Sequence, residues 1–344
     1  MKLYQIFVII PEIKIKTIKM ESMLIDKINE LKKRNNITIA SHYYQIDEVF
    51  QCADLIGDSL ELAKKSKEVK GKFIFCGVTF MGESTKASNP NLEVYMPTLG
   101  SCSMARMATE SGFDKAVKKL KDKNIDFIPV VYVNSTASIK AKVAELGGLT
   151  CTSSNAKKIV EWVLSQNKKV FFLPDKNLGT NIATMINKTA SLVGEEGFEN
   201  SDIICYDGLC SVHQLFEVSD VQFYKERYPD ILVVAHPEAK PEVCNLCDFV
   251  GSTSQLLNFI ENLPPEQKVA VGTEYNFVKR LKHPNSFVLS STKPECPSMN
   301  ETNLENLYRL MVAIDKGEPF NEIIISKQVE EGARIALERM MELS

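Results

Sequence analysis

Three of the nine cysteines in this chain occupy matching positions: Cys102 in Gly100-Ser101-Cys102-Ser103, Cys210 in Gly208-Leu209-Cys210-Ser211, and Cys296 in Glu295-Cys296-Pro297. They are spaced by roughly 100 residues, about one small domain. A thiolate in a polar turn can serve an iron–sulfur cluster or zinc. On a four-iron cluster, three cysteine ligands leave one iron open, a Lewis acid rather than an electron carrier. Cys52 and Cys76 lie in apolar, regular stretches and read as core. Cys244-Asn245-Leu246-Cys247 is a lone CxxC with no second pair, and reads as structural rather than as a redox or zinc motif.

With only four histidines, placement is informative. His42, His213 and His236 each flank a strand end or one of the three cysteines, whereas His283, before Pro284 in a charged stretch, reads as a surface residue. In His236-Pro237-Glu238 an imidazole and a carboxylate stand side by side, a pair able to move protons at neutral pH. Tyr44, Tyr132 and Asn134 fall at strand ends and offer hydrogen bonds to carbonyl or carboxylate oxygens. Ser59, Ser153 and Thr253 fall where helices should begin, and a helix start gathers unpaired N–H groups that hold an anion. No GxGxxG or Walker-type loop follows a strand, so no nucleotide cofactor is expected.

The elements that must position these residues repeat. Ile37–Ala40, Phe127–Val131 and Ile231–Ala235 are short apolar runs, ending in Ser41-His42-Tyr43-Tyr44, Tyr132-Val133-Asn134 and His236-Pro237-Glu238. Each is followed by a polar turn and a helical pattern, then by a second apolar run (Phe73–Gly77, Val170–Asp175, Val269–Glu274), and each unit closes on one of the three cysteines. Apolar runs alternating with helices give βαβ units and parallel sheets. The expected fold is therefore α/β: three pseudo-repeated, small, doubly wound α/β/α domains with short parallel sheets around a central site. The partition is an extension at 1–22, a first domain at 23–101 plus 300–344, a second at 102–209 and a third at 210–299. The C-terminal helices are expected to return to the first domain. Ligands in such sheets bind beyond the carboxyl ends of the strands.

Composition sets the outer bounds. Apolar residues make up 44% and charged residues 25% of 344, with a net charge of −3, so neither nucleic acid nor an anionic membrane is an expected partner. The run Ile6–Ile10, broken by Pro11, does not read as a signal peptide; it reads either as a strand or as a non-native start ahead of Met20 and Met23. No stretch approaches the ~20 apolar residues that span a bilayer. An odd number of cysteines without a secretory leader points to a reducing, cytoplasmic setting.

Taken in order, these motifs resemble the quinolinate synthase family. The resemblance rests on Ala40-Ser41-His42-Tyr43-Tyr44-Gln45, Ala53–Leu60, Phe75-Cys76-Gly77-Val78, Tyr132-Val133-Asn134, Cys151–Ala156, Gly208–His213, His236-Pro237-Glu238, Gly251–Ser254, Gly272-Thr273-Glu274 and Cys296–Met299, over roughly residues 23 to 344. It implies a [4Fe–4S] cluster with one open iron, held by Cys102, Cys210 and Cys296. It also implies a transferase that condenses iminoaspartate with dihydroxyacetone phosphate to quinolinate, a precursor of NAD. L-aspartate oxidase or aspartate dehydrogenase would supply the iminoaspartate. His42, Tyr44, Ser59, Tyr132, Asn134, Ser153, His236, Glu238 and Thr253 match substrate-site positions, with Glu238 and His236 moving protons and Tyr44 assisting. Thr79 stands where the family has a histidine, and Ala239 where a cysteine is frequent. Two rivals share part of this pattern: a three-cysteine radical enzyme like the diphthamide-synthesis proteins, separated by S-adenosylmethionine binding, and a non-catalytic sugar-phosphate binding protein, separated by iron analysis.

Overall fold

Alternate residues of each long strand feed different apolar clusters, so each sheet is covered on both faces. The computed structural model describes residues 20–344; the Ile6–Ile10 run lies outside the described residues. In the first sheet, Ile37, Ile39, Ile74 and Cys76 face one cluster, while Ala40, Phe73 and Phe75 face another. In the second, Val131, Phe171 and Leu173 oppose Val130, Val170 and Phe172. In the third, Val233, Ala235 and Ala270 oppose Val234, Val269 and Val271. This period of two, with both faces apolar, makes the strands read as continuous hydrophobic runs.

The first sheet holds β1 (Ile37–His42), β2 (Leu55–Gly57), β3 (Lys72–Cys76) and β4 (Glu93–Tyr95) in the order β2-β1-β3-β4. The second holds β5 (Phe127–Tyr132), β6 (Leu149–Cys151), β7 (Lys169–Leu173), β8 (Ala190–Leu192) and β9 (Ile203–Cys205), ordered β6-β5-β7-β9-β8. The third holds β10 (Leu232–Ala235), β11 (Phe249–Val250), β12 (Val269–Gly272) and β13 (Ser286–Val288), ordered β11-β10-β12-β13. Every pairing within the sheets is parallel. The expected α/β class with three repeated units is thus observed, and the repeat is more regular than the sequence suggested. The first strand of each unit lies between the second and third, and the middle sheet adds β8 at its far edge. In such an order the chain departs in opposite directions from the first and third strands, which opens a crevice at their carboxyl ends. All three crevices carry the polar residues singled out above.

The C-terminal helices tie the units together. Leu304, Leu307, Leu310, Met311 and Ile314 of helix Leu304–Asp315 join the outer cluster of the first sheet. The last helix, Lys327–Glu342, reaches further: Ala333, Leu337 and Met340 enter the cluster shared by the first and second sheets. Its Arg339 donates to the carbonyls of Ala144 and Gly148 at the end of helix Ala137–Glu145, where a cation is favoured.

Two local expectations need correction. His283 is buried rather than exposed, with Nε2 donating to the Pro264 carbonyl at 3.1 Å and Nδ1 accepting from the Asn285 amide at 3.3 Å; the charged residues beside it are solvated while the ring turns inward. Ser153 does not begin a helix. Asn155 caps helix Ala156–Ser165, and its Oδ1 folds back to accept from the Thr152 amide at 2.7 Å, a local turn that competes with helix. Cys52 and Cys76 are fully buried in core, as expected. Cys244 packs among Val233, Ala239 and Val243 on the third sheet.

Candidate active site

The carboxyl ends of all three sheets converge on one cavity. Cys102, Cys210, Cys296, His42, Tyr44, Ser59, Tyr132, Asn134, Ser153, His236, Glu238 and Thr253 all line it. The first strands bring His42, Tyr132 and, just past its end, His236. The helix starts after the second strands bring Ser59 and Thr253, with Asp58 and Ser252 as their N-caps; Ser153 comes from the turn before Asn155. Val78, Phe80, Met81, Met104, Val212 and Met299 supply apolar wall.

The helix starts also lock to one another. Asp58 Oδ1 accepts from the amides of Leu60 and Glu61. Its Oδ2 lies 3.2 Å from Ser154 Oγ and accepts from Ser254 at 2.8 Å, and Ser154 Oγ lies 2.9 Å from Ser252 Oγ. One residue set from three units therefore closes the end of the cavity where Ser59, Ser153 and Thr253 sit.

Histidine tautomers follow from backbone partners. His42 Nδ1 accepts from the Tyr44 amide at 3.1 Å, and His236 Nδ1 from the Glu238 amide at 3.3 Å. Burial pulls His42 down to about 4 and His236 down to about 3, so both are neutral at pH 7 and carry their proton on Nε2. His236 Nε2 donates to Ser153 Oγ at 3.1 Å. His42 Nε2 has no hydrogen bond to any described residue, which leaves it a donor for a ligand. Glu238 accepts from the Tyr132 hydroxyl at 2.6 Å through Oε1 and meets His213 Nδ1 at 2.8 Å through Oε2. Burial works to raise this carboxyl, but His236, His213 and Tyr132 outweigh it and hold it low. Burial also raises the phenols of Tyr44 and Tyr132 well above their ordinary value, so both are donors.

The three cysteines sit on connected loops. The Gly100 backbone passes so close to the helix Pro297–Asn300 that a Cβ there would lie 2.6 Å from the Ser298 carbonyl, and Ser298 Oγ donates to the Ser101 carbonyl at 2.8 Å. Gly208 likewise lets the Cys210 loop lie against the Pro174 carbonyl, 2.5 Å from where a Cβ would stand. Cys102 and Cys296 are the N-cap residues of helices Ser103–Met107 and Pro297–Asn300. All three thiols are free. Burial pushes Cys102 up to about 12 and Cys296 up to about 11, and raises Cys210 as well; Cys296 adds to the rise at Cys102, and Glu238 to that at Cys210. Such thiols ionise together only around a cationic group, which reverses the local cost of negative charge. Three convergent thiols, with no other cysteine on the cavity wall, fit a cluster held by three cysteines with one iron open.

Some site residues were given no role from sequence. His213 lies under Glu238 and stacks on His236 at 4.7 Å; its place three residues after Cys210 was a usable signal. Glu274 and Asp175, at the tips of β12 and β7, accept from the amides of Cys296 (3.3 Å) and Cys210 (3.0 Å). Nothing local marks those two as anchors, because each acts on a cysteine distant in sequence.

Residues 26–342 match the family described as Quinolinate synthetase A protein. Quinolinate synthase of Helicobacter pylori is 47% identical over 326 residues, covering 92% of this chain and 97% of that protein. Quinolinate synthase of Bacillus subtilis is 39% identical over 340 residues, covering 92% of each. Among the described residues, no helix is long and apolar enough to cross a membrane. The chain belongs to the quinolinate synthetase A family.

Proposed function

We propose that this member of the family is a quinolinate synthase, which condenses iminoaspartate with dihydroxyacetone phosphate to quinolinate, with loss of phosphate and water, on the route to NAD. The reading is carried by the convergence of three free cysteines, one near the close of each unit, on a buried cavity furnished with neutral imidazole and hydroxyl donors.

Cys102, Cys210 and Cys296 would hold a [4Fe–4S] cluster. When bound, it supplies a Lewis acid at the iron without a cysteine ligand. The chain's own groups do the rest. His42 Nε2–H, the Asn134 amide and the hydroxyls of Ser59, Ser153 and Thr253 receive carboxylate and phosphate oxygens, with the helix starts at Ser59 and Thr253 adding N–H groups. Glu238, ionised and oriented by Tyr132, takes a proton from carbon beside the imine or carbonyl, and His236 stands beside it at the same wall. The Tyr44 phenol donates to the triose oxygen. Enclosure between three sheets keeps water from an imine that would otherwise hydrolyse.

An anaerobic assay of the reconstituted protein with the two substrates tests this directly; iron-replete protein that makes no quinolinate would overturn it. Glu238→Gln should keep its iron and sulfide yet lose on the order of 10²–10⁴-fold in turnover. Normal turnover in that variant removes Glu238 as the base.

A further inference from the structure

Among the described residues, Lys140 is the only buried lysine or arginine, and nothing above uses it. It belongs to helix Ala137–Glu145, and its side chain turns back to the start of that helix, as helical side chains do. A cation there opposes the helix dipole, and burial adds to the cost. Burial pulls Lys140 down to about 7, against the opposite influence of Glu83 and Cys102. Local rules are broken in this way chiefly where function requires it.

In return the side chain meets two carbonyls rather than a carboxylate. Lys140 Nζ donates to the Val133 carbonyl at 2.8 Å and to the Ser135 carbonyl, and lies 5.5 Å from the centroid of the Phe80 ring, within reach of a cation–π contact. The Val133 carbonyl also accepts from the Ser135 amide at 2.8 Å, which makes Val133, Asn134 and Ser135 a three-residue turn at the end of β5. Lys140 thus bonds both ends of a turn whose middle residue, Asn134, lines the cavity. The Asn134 side chain has no hydrogen bond to any described residue, so its aim is set by the backbone beneath it. An ammonium has three N–H groups and a neutral amine two, so both carbonyl bonds survive in either protonation state.

We propose that Lys140 is a positioning residue, which clamps the Val133–Ser135 turn from both ends and so aims the Asn134 amide at the substrate. The inference rests on the substrate-binding role given to Asn134 under the proposed function. Without the clamp the turn keeps only its own backbone bond, and Asn134 loses its fixed aim, while the cysteine loops and Glu238 stay in place.

The test is steady-state kinetics of quinolinate formation by the cluster-loaded protein, with KM measured for each substrate. The visible absorption of the cluster and the melting temperature serve as controls. Asn134→Ala identifies the substrate its amide holds, by the KM that rises. Lys140→Met, similar in length but without N–H groups, should raise the KM of that same substrate on the order of 10-fold, the scale of one lost hydrogen bond to a charged group. Its kcat should change less than about threefold. Both controls should stay unchanged, because an apolar group of similar volume often replaces a buried charge without loss of stability. An Asn134→Ala/Lys140→Met double variant should have a KM no higher than that of Asn134→Ala alone. Wild-type KM values in Lys140→Met, a rise for the other substrate only, or a lowered melting temperature with KM unchanged would each overturn the proposal. So would KM increases that multiply in the double variant, or wild-type KM values in Asn134→Ala. Should Lys140→Met not fold, Lys140→Gln carries the same comparison. Wild-type protein that makes no quinolinate defeats the functional reading and this inference together, whereas active wild type with an unaffected Lys140→Met defeats the inference alone.

Discussion

The loops that carry Cys210 and Cys296 are built alike, and the loop that carries Cys102 is not. In the second and third units a carboxylate at the tip of the third strand does two jobs. Asp175 caps helix Lys176–Met185 through Oδ1, which accepts from Leu178, and takes the Cys210 amide on Oδ2. Glu274 caps helix Tyr275–Lys279 through Oε2, which accepts from Asn276 and Phe277, and takes the Cys296 amide on Oε1. In the first unit Thr79 follows the third strand, and it holds the loop by donating from its amide and hydroxyl to the Gly100 carbonyl at 2.9 and 3.0 Å. Two loops are thus anchored at the ligand residue by a buried acid, and one is anchored two residues earlier by a neutral group. Burial raises Asp175 well above its ordinary value and pushes Glu274 up to about 7. Repeated architecture therefore does not mean repeated electrostatics. The first loop approaches the cavity without bringing a buried carboxyl group.

The largest effect of breaking this pattern is expected at Asp175. An asparagine there offers one acceptor where two are needed and turns an NH₂ toward one of the two amides. Asp175→Asn should lose iron to a chelator about 10–100 times faster than wild type, the usual scale for removing a group that orients a metal ligand. Glu274→Gln should behave similarly but more mildly, because Cys296 is also held as the N-cap of its own helix. Chelation no faster than wild type in both variants would show that the acids serve only as helix caps.

Thr79→Val should matter least of the anchor changes. It removes one neutral hydrogen bond, about 1 kcal/mol, while the backbone bond to Gly100 stays. Melting and chelation should move only slightly; a loss as large as that of Asp175→Asn would erase the distinction between the loops.

A smaller contrast lies between the folded and unfolded environments of His42. Its ring is neutral in the fold, with the pKa lowered by burial to about 4, whereas the unfolded chain takes up the proton near 6.5. The unfolded state thus binds more protons in this window, so stability present above pH 6.5 declines as pH falls towards 4. At about 1.4 kcal/mol per unit this amounts to at most ~3 kcal/mol. His42→Gln should flatten that part of the stability-against-pH curve, as measured by denaturant titration. An unchanged acid slope would mean that His42 is charged in the fold.

Much of this was legible in the sequence because strand tips and helix starts carry local signals. The apolar runs ending in His42, Tyr132 and His236, and the hydroxyl-rich turns around Ser59 and Thr253, place their side chains at switch points by topology alone. Short edge strands such as Leu55–Gly57 and Phe249–Val250 had no such signal, since two or three residues carry no periodicity. His283 and Ser153 misled for the same reason: a neighbouring charge or hydroxyl says nothing about which way the chain turns next. Asp175 and Glu274 were illegible as working parts because the cysteines they hold lie on loops distant in sequence.

The most direct test of the central claim is iron and sulfide analysis after anaerobic reconstitution of six proteins: wild type, Cys102→Ser, Cys210→Ser, Cys296→Ser, Cys244→Ser and Cys247→Ser. About four irons and four sulfides per chain are expected in wild type and in the last two variants, with the cluster lost from each of the first three. A wild-type chain with markedly fewer than four irons, or full retention of the cluster in Cys210→Ser, would contradict the account.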